Sequence, residues 1–162
     1  MEDVFTLYCQ SPVGIIEIKG TEEAITFTSF VEEEGNSSAS IPAVLLQCQK
    51  ELDEYFNGTR KGFEVRLSPA GTEFQKQVWG ELLQIGYGNT TSYMAIAKKM
   101  NNPGAVRAVG LANGKNPIGV IIPCHRVIGG DGSLTGYAGG LWRKKWLLEH
   151  EGNKSGNAPT LF

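Results

Sequence analysis

A cysteine and a histidine stand side by side in the stretch IIPCHRVIGG, residues 121–130. The 162-residue chain has only three cysteines and two histidines, so both residue types are scarce. A thiol becomes a useful nucleophile when it ionises, and an imidazole within reach can take its proton. Cys124 and His125 therefore predict either a nucleophile with its base, or a buried strand end whose cysteine is only a small apolar residue.

The geometry of the pair limits how a proton can move between them. Neighbouring side chains of an extended segment point to opposite sides, so Cys124 and His125 need a turn or a bridging water. A histidine that acts as a base usually has its second nitrogen held by an acceptor. Glu151 is a candidate for that acceptor, and Glu149 and Asp131 are alternatives that sequence spacing does not exclude.

The charges are distributed unevenly along the chain. Residues 1–81 hold fourteen acidic and six basic side chains, whereas residues 82–130 hold no Asp or Glu at all. The cations of that second window are Lys98, Lys99, Arg107, Lys115 and Arg126. Although the net charge is -2, this asymmetry favours a polyanionic partner for the middle segment, with an ordinary solvated surface as the alternative.

Composition narrows the class of protein. The chain is 41% hydrophobic and 20% charged, as in globular proteins. No stretch approaches the roughly 20 apolar residues that span a bilayer, and the acidic start MEDVFTLYCQ does not fit a signal peptide. We therefore predict no membrane contact, and a cytoplasmic location, or a nuclear one if the source is eukaryotic. The widely spaced cysteines predict neither a disulfide framework nor a metal site.

The first part of the chain predicts a small α/β domain over residues 1–68. The first forty residues favour strands, chiefly GIIEIKG and AITFTSFV with a turn at GTEE between them. PAVLLQCQKELDEYFNG has helical spacing and ends at Asn57-Gly58. FEVRL predicts one more short strand, and SPAG is the candidate linker.

Residues 69–152 predict a mostly helical domain, followed by a flexible tail over residues 153–162. TEFQKQVWGELLQI and SYMAIAKKM predict helices capped by Thr72 and Ser92, and AVRAVGLAN predicts a third. The last two, joined by NNPG, outline a helix-turn-helix. NPIGVIIPC predicts a buried strand leading to Cys124, GGDGSLTGYAGG a loop, and LWRKKWLLEHEG a final helix ending at Gly152.

Small residues dominate the second helix of this outline. Ala105, Ala108, Gly110 and Ala112 leave Arg107 as its only long side chain. Small residues let a backbone approach another surface closely, which here predicts either a DNA minor groove with Arg107 reaching into the base stack, or tight helix packing.

Five ordered segments resemble one family. IIPCHRVIG, GTEFQKQVWGELLQI, TTSYMAIA, RAVGLANGKNP and GYAGGLWRKKWLLEHEG are similar to the O6-alkylguanine-DNA alkyltransferases, also called methylated-DNA–protein-cysteine methyltransferases. The resemblance is strong from Thr72 to Gly152 and general before it. It implies an α+β fold, in which a small N-terminal α/β domain with a sheet and one helix precedes a mostly helical C-terminal domain with a winged helix-turn-helix-like DNA-binding element.

The resemblance implies a role for each residue of the site. Cys124 takes the alkyl group from guanine O6 in a single turnover, His125 acts as base through a water, and Glu151 orients His125. Tyr93 contacts the phosphate backbone and donates to guanine N3. The flipped guanine leaves the stack and Arg107 fills its place.

Further residues follow from the same resemblance and from the charge pattern. The expected DNA-binding residues are Arg107, Tyr93, Ala108, Lys115 and Arg126. The expected pocket residues are Asn113, Tyr137, Ala138 and Gly139, with the Ala138 amide aimed at O6, and Asn116 links the DNA-reading helix to the active-site segment. The implied partner is double-stranded DNA containing O6-alkylguanine, bound through the minor groove by a monomer, with no cofactor and no metal.

Two other hypotheses remain from the residues. One is a helix-turn-helix regulator or lesion sensor with an incidental cysteine, and the other is a cysteine hydrolase with multiple turnovers that uses Cys124, His125 and Glu151. The absence of acidic residues from 82 to 130 favours a DNA substrate over the hydrolase.

Overall fold

The computed structural model describes residues 3–153, without the side chain of Asn153. Within them the chain forms two compact units, residues 3–70 with 117–121 and residues 71–116 with 122–153. The predicted tail therefore lies outside the described residues, apart from Asn153. Across the described range no helix has the length and apolarity needed to cross a membrane.

The first unit is a three-stranded antiparallel sheet with one helix. Strands β1 (Phe5–Ser11), β2 (Gly14–Gly20) and β3 (Ile25–Val31) lie in the order β1-β2-β3. Helix α1 (Ala43–Phe56) contacts all three strands. Ile16 and Ile18 alternate inward on β2, and α1 buries Leu45, Cys48, Glu51, Leu52 and Tyr55 at helical spacing. These elements confirm the predicted sheet and helix.

The predicted strand at FEVRL is wrong. Only one isolated bridge forms there, between Ile25 and Leu67. The backbone amides of Glu64 and Val65 instead donate to Glu51 Oε1, at 2.9 and 3.1 Å. Because a buried carboxylate satisfies both donors, Glu64 and Val65 need no neighbouring strand.

The predicted strand at NPIGVIIPC is also wrong, although its burial was predicted correctly. Residues 117–121 make one isolated bridge, between Thr28 of β3 and Ile118. The Thr28 amide donates to the Pro117 carbonyl at 3.0 Å, and the Gly119 amide donates to the Thr28 carbonyl at 3.0 Å. Val120 then adopts a φ of 70°, which ends the extended conformation.

The second unit holds the remaining helices and a two-residue parallel ladder. Its elements are α2 (Glu73–Leu82), β4 (Thr91–Ser92), α3 (Tyr93–Lys99), α4 (Val106–Gly114), β5 (Val127–Ile128) and α5 (Leu141–Leu148). Strand β4 pairs with β5. The α+β class is therefore confirmed.

The predicted helix starts are confirmed by their caps. The Thr72 hydroxyl accepts from the Gln75 amide while the Gln75 side chain accepts from the Thr72 amide, a capping box that begins α2. The Ser92 hydroxyl accepts from the Ala95 amide and begins α3. A short 3-10 turn at Pro103–Ala105 joins α3 to α4, as the helix-turn-helix outline predicts.

The last helix changes from α to π winding before its predicted end at Gly152. Helix α5 stops at Leu148, and residues 149–153 form a wider π-type turn. Gly152 adopts a φ of 101°, in the left-handed region that favours glycine, so the helix does not continue past it. Glu151 therefore belongs to this terminal turn.

The contacts of Glu51 predict that it stabilises the first unit. Replacing Glu51 with Ala leaves the buried Val65 amide and the part-buried Glu64 amide without an acceptor, so we expect the unfolding free energy to fall by about 3 kcal/mol. Urea denaturation followed by circular dichroism measures this. The exposed Glu22→Ala is the control, with an expected change within about 0.5 kcal/mol. Equal effects of the two substitutions would contradict the role given to Glu51.

Candidate active site

A tight turn carries the predicted cysteine and histidine. Cys124, His125 and Arg126 form one 3-10 turn after Pro123, and their exposed fractions are 8%, 0% and 6%. The Cys124 amide donates to the Ile122 carbonyl at 2.8 Å, and the Arg126 amide donates to the Pro123 carbonyl at 3.0 Å. The chain is thus turned at the point where the two side chains need a turn or a water to exchange a proton.

The Glu151 carboxylate is the centre of the site. Its Oε2 lies 2.7 Å from His125 Nε2. Arg126 donates to the same carboxylate, from Nε to Oε1 at 2.8 Å and from Nη2 to Oε2 at 3.1 Å. Of the three acids considered as partner of His125, Glu151 is in contact with it, whereas Asp131 accepts from the Ser133 amide. Arg126 Nη1 also donates to the Ile85 carbonyl at 2.6 Å, beyond the end of α2.

The arrangement keeps His125 neutral. Complete burial lowers the pKa of His125; Glu151 opposes this, but the nearby Arg126 and Lys144 cations reinforce it. Because a carboxylate can only accept, the neutral ring donates to Glu151 from Nε2 and leaves Nδ1 without a proton. Within residues 3–153 Nδ1 is buried and has no hydrogen-bond partner. This nitrogen is therefore able to accept a proton.

The Glu151 carboxylate stays ionised in spite of its burial. Burial alone would raise the pKa of Glu151, but His125 and Arg126 outweigh it and hold that pKa well below its usual range. A buried charge is tolerated when its hydrogen bonds are satisfied, and the two hydrogen bonds from Arg126 help to satisfy those of Glu151 here.

The Cys124 thiol is protonated at rest. Burial raises the pKa of Cys124, while an Asn116 hydrogen bond and the Lys144 charge oppose that rise only in part. The Asn116 amide group also donates to the Ile122 carbonyl at 2.8 Å. Asn113 Nδ2 lies 3.5 Å from the Cys124 carbonyl oxygen, and its buried Oδ1 has no partner within the described range. Nucleophilic attack by this thiol therefore requires a base.

A buried lysine, Lys144 on α5, was missed by the sequence reasoning. Its side chain is fully buried, and Nζ donates to the Val127 carbonyl at 2.6 Å and the Thr135 carbonyl at 3.1 Å. Burial lowers the pKa of Lys144 to about 8, and Cys124 opposes that shift. The available signal was position, since Lys144 precedes the buried Leu147 and Leu148 by three and four residues.

The glycine-rich loop lies beside the thiol. Tyr137 is half-buried, and burial together with the nearby Cys124 raises the pKa of its phenol. Ala138 is exposed, and the Gly139 carbonyl accepts from Arg143 Nη1 at 2.9 Å. Tyr93, at the start of α3, shares a short hydrogen bond of 2.5 Å between its Oη and Thr135 Oγ1. Thr135 is a second residue that the sequence reasoning missed.

Helix α4 presents one exposed face. That face carries Arg107, Ala108, Leu111, Gly114 and Lys115. Its opposite face is buried through Val109, Ala112 and Asn113. The predicted DNA-binding residues of α4 are therefore accessible, and Leu111, 72% exposed, joins them.

Arg126 was wrongly placed among the DNA-binding residues. It is buried, and its guanidinium donates to Glu151 and to the Ile85 carbonyl. The sequence shows a cation in a basic window but not the buried carboxylate that holds it.

No cluster of three or more His, Cys, Asp or Glu side chains suited to a metal ion occurs in residues 3–153. Cys9 and Cys48 are buried in the first unit, where burial raises the pKa of the Cys9 thiol to about 12.

Comparison with known proteins identifies the family. Residues 73–153 match the family model of the 6-O-methylguanine DNA methyltransferase DNA-binding domain, and residues 4–69 match the ribonuclease-like domain of the same enzymes. The chain belongs to the 6-O-methylguanine DNA methyltransferase family. The resemblance predicted from the five sequence segments is thereby confirmed.

Individual members of the 6-O-methylguanine DNA methyltransferase family cover nearly the whole chain. A methylated-DNA–protein-cysteine methyltransferase of Methanosarcina acetivorans is 46% identical over 89% of this chain and 96% of its own length. The O6-methylguanine methyltransferase crystal structure from Mycobacterium tuberculosis is 43% identical, with a TM-score of 0.83, and covers 94% of this chain and 95% of its own. A structure of that bacterium's protein in complex with DNA has a TM-score of 0.81 at 45% identity, covering 89% and 90%.

The His125–Glu151 pair predicts that this methyltransferase family member loses stability in acid. In the unfolded chain His125 takes up a proton as the pH falls below its ordinary pKa of 6.5. In the folded state the pKa of His125 is lowered, so the ring stays neutral in that range. The unfolding free energy therefore falls as pH drops below about 6.5. The pKa of Glu151 is also lowered in the folded state, so a second loss of unfolding free energy follows below its ordinary pKa of 4.5.

Urea denaturation at pH 7, 6 and 5 measures the first loss. The His125→Gln variant removes the imidazole from both states, so its stability should change less between pH 7 and 5 than that of the unsubstituted protein. His150→Gln is the matched control for loss of one imidazole. A slope for His125→Gln as steep as that of the unsubstituted protein would contradict a lowered pKa of His125.

Proposed function

We propose that the protein is a DNA repair methyltransferase that transfers the alkyl group of O6-alkylguanine, chiefly O6-methylguanine, from duplex DNA to its own Cys124. The observation that carries this proposal is the site itself: a buried thiol in one turn with a neutral histidine, whose Nε2 is held 2.7 Å from an ionised Glu151. The relatives named methylated-DNA–protein-cysteine methyltransferase support it.

The proposed transfer balances its proton within the site. His125 Nδ1 takes the Cys124 proton through one water, and the sulfur attacks the alkyl carbon as the bond from that carbon to guanine O6 breaks. The departing guanine needs one proton at N1, and the proton lost from the thiol supplies it. A hydrogen bond from Tyr93 to guanine N3 and the Ala138 amide near O6 stabilise the leaving base.

The product explains why the protein acts once. The alkyl group ends as a thioether on Cys124, and a thioether is not readily hydrolysed. The proposal is therefore a single-turnover reaction with no cofactor and no metal, in contrast to a cysteine hydrolase, whose acyl-enzyme is released by water.

Helix α4 supports the mode of DNA binding. Its exposed face combines Arg107 and Lys115 with the small Ala108, a surface that can approach a minor groove closely. O6-alkylguanine is inside the duplex until it is flipped, so Arg107 fills the space that it leaves. Asn113, Tyr137 and Gly139 form the pocket around the base, and Asn116 joins α4 to the segment that carries Cys124.

The remaining parts of the proposal concern assembly and location. The protein acts as a monomer, since each Cys124 has its base and acceptor within one chain. A duplex DNA substrate places it in the cytoplasm, or in the nucleus of a eukaryotic cell.

The first experiment is a mass measurement on the intact protein. After incubation with excess duplex carrying one O6-methylguanine, we expect one methyl group per protein, located on Cys124 by peptide mapping. Cys124→Ala should gain no methyl group while still binding the duplex. An unmodified protein that binds the lesion would replace the proposal with a lesion sensor, and repeated turnover would replace it with a hydrolase.

The role of Arg107 predicts a difference between duplex and single strand. Arg107→Ala should slow methyl transfer from duplex at least tenfold, since nothing fills the vacated stack, yet alter transfer from a single-stranded oligonucleotide far less. Single-turnover rates on both substrates measure this. Lys98→Ala, which also removes one exposed cation, is the matched control and should affect both substrates similarly. Equal losses on both substrates for Arg107→Ala would contradict a role in flipping.

A further inference from the structure

Thr135 connects the glycine-rich loop to Tyr93. Its Oγ1 lies at hydrogen-bond distance from Tyr93 Oη, a contact between residues 42 positions apart in the chain. Its side chain is half-buried, as is that of Tyr93. The phenol that the proposed reaction uses is therefore held by a residue for which the reaction so far has no role.

Thr135 is itself fixed by Lys144. The buried ammonium donates to the Thr135 carbonyl at 3.1 Å and to the Val127 carbonyl at 2.6 Å. Val127 follows the turn that carries Cys124 and His125. Lys144 thus holds both Thr135, which contacts Tyr93, and β5, which follows the turn at Cys124–Arg126. These two bonds set the position of the loop relative to the site within the second unit.

We propose that Thr135 is a positioning residue that directs the Tyr93 hydroxyl toward the purine. This inference rests on the proposed function, because it gives Tyr93 a substrate to donate to. The Thr135 hydroxyl donates to Tyr93 Oη, which leaves the phenolic proton free for guanine N3. A phenol oxygen accepts and donates at once, and a threonine hydroxyl rotates freely enough to take either part.

The resting and reacting states then differ only in hydrogen positions. Without substrate, either oxygen of the pair can be the donor. When guanine N3 arrives as an acceptor, the Tyr93 proton turns to it and the Thr135 proton turns to the phenol oxygen. Each bond in such a chain polarises the next, so the Thr135 bond also strengthens donation to the leaving base.

A double-mutant cycle separates this role from ordinary loop packing. Thr135→Val keeps the shape of the side chain and removes the hydroxyl, and Thr135→Ser keeps the hydroxyl and removes the methyl group. Each is made alone and together with Tyr93→Phe, which removes the partner oxygen. Ser133→Ala, a hydroxyl loss at an exposed position of the same loop, is the matched control.

The readouts are the single-turnover methyl-transfer rate at saturating lesion duplex and the affinity for that duplex. We expect Thr135→Val to slow transfer about tenfold, the effect of one lost hydrogen bond, with affinity unchanged. Thr135→Ser and Ser133→Ala should stay within about twofold of the unsubstituted rate. In the Tyr93→Phe background, Thr135→Val should cost less than about twofold, since the bond is already absent.

Three results would overturn the inference. Thr135→Val could slow transfer equally in both backgrounds, or lower only the affinity, and either outcome would assign Thr135 to loop structure. Thr135→Val could also react at the unsubstituted rate, so that no positioning is needed. Failure of the proposed function has a different signature, because the unsubstituted protein itself would then transfer no methyl group.

Discussion

A single buried carboxylate, that of Glu151, holds the candidate site together. It accepts from His125 and twice from Arg126, and Arg126 continues to the Ile85 carbonyl beyond α2. The terminal turn at residues 149–153 and the turn at Cys124–Arg126 thus meet at one charge, and Arg126 links them to the segment after α2. The same contact selects the tautomer of His125, so structural and chemical roles cannot be separated here. Removing one partner of such a buried pair commonly costs about 3–5 kcal/mol.

This network resolves an apparent conflict between a buried cysteine and a nucleophilic one. The pKa of Cys124 is raised, so at neutral pH the resting thiol is a poor nucleophile toward small electrophiles. In the proposed reaction, reactivity then depends on the proton acceptor and on an alkyl carbon held against the sulfur. A neutral His125 with a bare Nδ1 is suited to the first task, because burial lowers the pKa of the ring and the Arg126 charge reinforces this against Glu151.

Local signals in the sequence predicted the elements whose stability is local. The Thr72 capping box, the Ser92 cap and the apolar spacing of α1 are read within a few residues, and these elements formed as predicted. Contacts between distant residues were not readable. Glu51 replaces a strand partner at Glu64 and Val65, and Arg126 turns inward to Glu151. Lys144 bonds to backbone carbonyls and Thr135 bonds through its hydroxyl, and residue spacing reveals neither contact. Cys124, His125 and the candidate Glu151 were found from the residues, and the family resemblance then selected Glu151 over Glu149 and Asp131.

The return of residues 117–121 to the first unit affects the order in which the protein is made. The Thr28 amide donates to the Pro117 carbonyl, and the Thr28 carbonyl accepts from the Gly119 amide. Pro117 follows Thr28 by 117 - 28 = 89 residues, so during translation this edge of the N-terminal sheet stays incomplete until that later segment has left the ribosome. An unpaired edge of this kind invites association between nascent chains. Residues 117–121 complete this edge of the sheet. They leave the ribosome just before the turn at Cys124–Arg126 does.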